Sequence, residues 1–176
     1  LDLLEVSRAL ALLDACVEDR EYLFKEAKSL GLPDNHHHIE KIMGLCRLPQ
    51  LIQTGVFLNR ISLNMAAELH EFEMPAAILL ARVFMELKLN RNKQKEICTH
   101  IKEIAHREKC STHEILLSEG IPEVLGDKDL DNLQKTRLVR LNLRRRRFPN
   151  LLLAEDSFQH NLRQLNLGNG IRLLPP

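Results

Sequence analysis

Three consecutive histidines, His36 to His38, invite a metal-binding reading, and four consecutive arginines, Arg144 to Arg147, a phosphate-binding one. Adjacent positions on a helix turn by about 100° per residue, so the three imidazoles cannot meet one metal ion. His106 and Cys110 stand four apart, as two ligands on one helix face would, with Cys98 and His100 close by in sequence. The four cysteines, Cys16, Cys46, Cys98 and Cys110, are nevertheless far apart and lack the paired spacing of a zinc knuckle. They read as buried free thiols in a reducing compartment, and no metal or other cofactor is expected. A glycine-rich phosphate loop, a zinc-protease motif and a nucleophile elbow are all missing, so an enzyme is not expected either.

The cations are left to carry a function. Residues 134–147 hold seven Lys and Arg and no acid, although the whole chain of 176 residues has a net charge of only +1. Arg137, Arg140, Arg144 and Arg147 recur at steps of three, four and three, one stripe of a helix that could track phosphates. The same stripe could pair with the acid-rich residues 119–131, sit at a helix C-terminus where cations are favoured, or form an interaction surface with Leu138 and Leu141.

The second cationic candidate follows the histidines. If residues 35–47 are helical, Ile39, Ile42, Met43 and Cys46 form an apolar stripe that packs on the preceding helix. The opposite face presents His37, Lys41 and Gly44, with His38 and Glu40 at its margins. Polar groups, one cation and a glycine allowing close approach suit a groove of DNA, and the same residues also suit an ordinary solvated face.

These side chains must be positioned by helices. With no Trp and 4% aromatic residues, the core is expected to be aliphatic and all-α. Leu3, Val6, Leu10 and Leu13 predict a first helix, and Tyr22, Leu23, Ala27 and Leu30 a second, interrupted by Gly31, Leu32 and Pro33. Asp34 or Asn35 can cap the third, which ends at Leu48-Pro49. A short turn of helix is expected over residues 50–54, before Gly55. Ser62, Pro75, Asn90 and Ser111 or Thr112 then open further helices, with Ile78, Leu79, Val83 and Leu87 as the buried stripe of the one that begins near Pro75. Pro122, Gly126 and five acids predict a linker, followed by helices over residues 130–147 and 154–165 and an extended tail, GNGIRLLPP. No run approaches the roughly 18 consecutive apolar residues of a membrane span. The chain enters directly from Leu1 into an apolar-rich run, so a fragment of a longer, cytoplasmic protein is expected.

The order of these features resembles the DNA-binding region of the ParB family of partition proteins, which includes KorB-type repressors. There a helix with Ala-x-x-Leu-Gly leads through a turn to a recognition helix ending in a Leu-rich, Leu-Pro segment. Ala27, Leu30 and Gly31 match the first part, and Met43, Leu45, Leu48 and Pro49 the last. Gly55, Ile61, Ser62, the helix of Met65, Ala66 and Ala67, the helix from Ala76 to Leu87, and Leu89-Asn90-Arg91 follow in the family's order at similar spacings. The resemblance covers about residues 3 to 105. Leu32-Pro33 lengthens the turn, Asn35 with the three histidines replaces the family's Ser-Arg-Ser opening, and Gly44 stands where an arginine is common. The arginine-rich motif of the family's nucleotide-binding domain is absent from this chain.

The expected fold is an all-α multi-helix bundle containing a helix-turn-helix, which the resemblance implies over residues 3 to 105, with a smaller helical C-terminal extension that lies outside the resemblance. Its expected divisions are a helix-turn-helix domain over 1–118, an acidic linker over 119–133 and a basic extension over 134–176. The expected partner is duplex DNA, in the nucleoid, with room for a homodimer or a partner protein and none for a membrane. Expected contacts are Asn35, His37, His38, Lys41 and Arg47 at the recognition helix, Lys93 and Lys95 on a later helix, and Arg144, Arg145, Arg146 and Arg147. The competing expectation is a protein-interaction module on the same scaffold that has lost specific DNA recognition.

Overall fold

Among the described residues seven helices open on a side-chain cap, because Asp, Asn and Ser stand where orphan backbone amides need an acceptor. The computed structural model describes residues 2–17 and 19–164, apart from the side chain of Leu152. Asp2 and Glu5 form a capping box at the start of α1 (Leu3–Cys16), and Asp19 caps α2 (Arg20–Ser29). Asn35 caps α3 (His36–Leu45), accepting from the His38 amide at 3.0 Å. After α4 (Gln50–Phe57), Ser62 caps α5 (Leu63–Leu69), and Pro75 lies in the first turn of α6 (Met74–Glu86). Asn90 caps α7 (Arg91–Glu108) and Ser111 caps α8 (Thr112–Ser118). The chain continues through α9 (Ile121–Gly126), α10 (Asn132–Arg147), capped by Asp131, and α11 (Pro149–Gln164). The chain is an all-α, multi-helix bundle, with no strand among the described residues.

The apolar residues gather in two cores. Leu10, Leu23, Ala27, Ile39, Ile42 and Met43 join α1, α2 and α3. The larger core runs from Leu45 through Phe84 and Ile101 to Val139 and Leu143, and Leu63 packs against both. The α3 stripe thus meets α1 as well as α2. Ser7 on α1 is fully buried, accepts from the Cys46 amide at 2.9 Å and donates to the Met43 carbonyl, closing the C-terminal end of α3 against α1.

Several boundaries and faces differ from the sequence reading. The third helix stops at Leu45, before the Leu48-Pro49 break. Helix α4 runs through Gly55 to Phe57, because the buried Gly55 is where Ile61 comes close: a Cβ there would lie 2.6 Å from Ile61 Cδ1. Tyr22 and Leu30 are exposed, and α6 buries Leu80, Ala81 and Phe84 beside Val83 while Ile78 remains 38% exposed. Residues 119–133, expected as a linker, include α9, whose Ile121 and Leu125 are buried in the same core as Val139 and Leu143. Helix α11 starts at Pro149, five residues earlier than expected, and the expected tail lies outside the described residues. Of the four free cysteines only Cys98 is buried, and Cys16 is exposed.

Candidate nucleic-acid interface

The turn between α2 and α3 is built by short-range chemistry. Gly31 takes a left-handed φ of 82°, which lets the Leu32 amide return to the Ala27 carbonyl at 3.2 Å. Lys28 Nζ donates to Asp34 at 2.6 Å and holds that carboxyl below its ordinary range. The His36 ring stacks on Phe24 with centroids 3.8 Å apart. This turn is longer than the three to four residues of a compact helix-turn-helix, as the extra Leu32-Pro33 predicts.

The exposed side of α3 opens onto a groove of about 610 Å³. His37, Glu40, Lys41 and Gly44 line one wall, with Arg47 just beyond the helix end. Asn64, Ala67 and Glu68 of α5, then His70 and Glu71, line the other, and Lys102 reaches in from α7. A Cβ on Gly44 would meet nothing within 4 Å, so the groove is open at that point. Lys41 Nζ donates to Asn64 Oδ1 at 2.9 Å, and Arg47 lies 3.6 Å from Asp14. Lys102 sits between Glu71 at 2.8 Å and Glu68 at 3.3 Å. Burial alone would pull the Lys102 pKa down, but hydrogen bonds to Glu71 and Glu68 outweigh it and raise it. The groove lining thus holds three cations, Lys41, Arg47 and Lys102, and three carboxylates, Glu40, Glu68 and Glu71.

The expected contacts do not all converge there. His37, Lys41 and Arg47 line the groove, whereas the Asn35 side-chain oxygen is engaged in its cap and the half-buried His38 lies outside it. Lys93 and Lys95, two positions apart on α7, point about 200° apart on an α-helix. Lys95 is exposed and Lys93 half-buried. Sequence reasoning missed Asn64 and Glu68, four apart on one face of α5, Glu71 in the turn that follows it, and Lys102 on α7.

The arginine run faces acids instead of a groove. Arg140 makes a two-pronged contact with Glu96, its nitrogens 2.9 to 3.2 Å from the carboxylate oxygens. Arg144 pairs with Glu155 at 3.0 Å, and Arg147 lies against Glu103 with its guanidinium over Phe148. Arg146 reaches Glu108 at 2.7 Å and Glu119 at 3.1 Å. Arg107 donates to the carbonyls of Arg146 and Arg147, capping the end of α10. Arg145 is exposed and in no ion pair among the described residues. Most partners lie on α7, which runs beside α10, and only Glu119 belongs to the acid-rich segment.

Two titratable groups on α7, Cys98 and His100, are buried. Burial raises the Cys98 thiol to about 12, which leaves it inert beside Met65 Sδ at 3.8 Å. His100 is 4% exposed, its Nδ1 has no hydrogen-bond partner among the described residues, and its ring meets Phe148 edge to face at 6.0 Å. Burial, then Arg147, lowers its pKa against the opposing pull of Glu96 and Glu103. The unfolded chain therefore binds a proton on His100 more readily than the folded chain does. Its contribution to stability is full above the ordinary value of about 6.5 and is lost as the pH falls below it. His100→Leu is expected to flatten the decline in urea-unfolding free energy between pH 7 and pH 5, and an unchanged slope would remove His100 as the cause.

Among the described residues no three His, Cys, Asp or Glu side chains converge as metal ligands would, and no helix is long and apolar enough to cross a membrane. No family model, curated protein or solved structure matches the chain.

Proposed function

We propose that this chain binds duplex DNA through α3, as a helix-turn-helix module of the kind found in ParB partition proteins and KorB-type repressors. The observation that carries this reading is the division of α3 into two faces. Ile39, Ile42 and Met43 fasten it to α1 and α2, while His37, Lys41 and Gly44 lie together on the side left open. A helix held on one side, with small or hydrogen-bonding groups on the other, is what entry into a major groove requires. Lys41 and Arg47 supply phosphate contacts once they exchange Asn64 and Asp14 for the duplex, and His37 supplies a hydrogen bond to a base edge or a phosphate. In this reading the chain works in the nucleoid without a cofactor and without catalysis.

The equal numbers of cations and carboxylates in the groove favour a second reading, a partner-protein surface on the same scaffold, because phosphate affinity rests on uncompensated Lys and Arg. Fluorescence anisotropy with a pool of duplex DNA at low salt separates the two. The first reading expects binding that weakens about tenfold in a His37→Ala/Lys41→Ala chain, a loss of about 1.4 kcal/mol. Binding that is unchanged by both substitutions would refute the placement of α3.

A further inference from the structure

Gln94 is 1% exposed, yet its amide serves two separate turns. Its Nε2 donates to the Arg60 carbonyl at 2.7 Å and to the Leu89 carbonyl at 2.8 Å. Each turn follows a residue in the left-handed region, Asn59 at φ 55° and Lys88 at φ 50°. One buried side chain therefore ties the turn between α4 and α5 to the turn between α6 and α7. Arg60 is carried on the first, Lys88 on the second, and Arg91 and Lys95 on the first two turns of α7 itself.

All four cations are exposed, and none is in an ion pair among the described residues. The acids nearest in sequence are already engaged: Glu86 with Arg82 at 2.6 Å and Glu96 with Arg140 at 2.9 Å. This contrasts with α10, where four of the six arginines, Arg140, Arg144, Arg146 and Arg147, have a carboxylate. Like charges gathered without a counter-charge repel one another, and an anion supplied from outside relieves that repulsion. Arg60 is linked to the α3 surface through α5. Lys41 bonds to Asn64 in the first turn of α5, and that turn follows directly on Arg60.

Resting on the reading of the chain as a DNA-binding module, we propose that Arg60, Lys88, Arg91 and Lys95 form a second contact with the same duplex. They grip the sugar-phosphate backbone beside the groove that α3 enters. The contact carries affinity and no sequence information, because phosphates are alike along the strand. It supplies the uncompensated positive charge that the α3 groove lacks.

The test is the salt dependence of duplex binding, measured by anisotropy on the full chain. Each phosphate contact contributes about 0.9 to the slope of log affinity against log salt concentration. An Arg60→Ala/Arg91→Ala chain is therefore expected to lose about 1.8 from that slope and about tenfold or more in affinity at low salt. A Lys25→Ala/Lys109→Ala chain changes the net charge equally at two exposed positions away from the cluster, and its slope is expected to stay near the wild-type value. Wild-type binding with an unchanged slope in the Arg60/Arg91 chain would overturn the second contact and leave the α3 reading standing. An equal loss in both double variants would overturn it too, since overall charge would then explain the effect. Absence of wild-type binding at low salt would overturn both.

Discussion

Replacing Phe84 by alanine is expected to cost about 3–5 kcal/mol of stability and to loosen α10 together with the helices before it. Phe84 is the largest of the fully buried side chains and lies in the core that extends from Leu45 to Leu143. Val139 and Leu143 place α10 in that same core, which joins it to α9 just before it and to residues forty and more positions earlier in the chain. Urea unfolding followed by circular dichroism measures the loss. Hydrogen exchange of the α10 amides measures its reach: their protection is expected to fall with that of α6 and α7. Wild-type protection in α10 would show that the helix holds itself by other means, and would return residues 134–147 to the status of a separate unit.

Arg146→Ala is expected to cost about 2 kcal/mol, a large effect for a residue that sequence alone would leave on a solvated helix end. Its side chain is 23% exposed and holds Glu108, Glu119 and the Ser118 hydroxyl, joining the end of α10 to the end of α7 and to α8. Hydrogen bonds from Arg146 and Arg107 lower the Glu108 pKa. The stabilisation is present above the carboxyl's ordinary range and is lost as the pH falls through the lowered value, when Glu108 takes up a proton. The difference in unfolding free energy between wild type and Arg146→Ala is thus expected to be larger at pH 7 than in strong acid. A variant as stable as wild type at pH 7 would mean that the arginine run is not needed to fasten α10, and would restore its claim to phosphates.

What was legible in the sequence was what depends on neighbours. The caps at Asn35, Ser62, Asn90 and Ser111 could be read because a cap acts across three residues. The two faces of α3 could be read because helical periodicity acts across four to seven. Gly55 misled because a glycine marks a break and a close approach equally well, and only the position of Ile61 decides between them. Acidic residues 119–133 misled because composition hid the apolar spacing of Ile121 and Leu125. The partners of the arginine run were out of reach for a different reason. Glu96 and Arg140 are 44 residues apart, and no local pattern specifies a pairing set by the packing of α7 on α10. The same holds for the groove wall contributed by Glu68, Glu71 and Lys102, which alters the electrostatics of α3 without appearing in its sequence.

The proposed function requires that the exposed, groove-facing α3 and the cations Arg60, Lys88, Arg91 and Lys95 together bind duplex DNA. Its most direct test is the affinity of the wild-type chain for a duplex pool, measured by anisotropy as salt is raised from about 50 mM to 200 mM. Saturable binding is expected at the low end, with a linear fall in log affinity against log salt whose slope corresponds to several phosphate contacts. No binding at low salt, where those contacts are strongest, would contradict it.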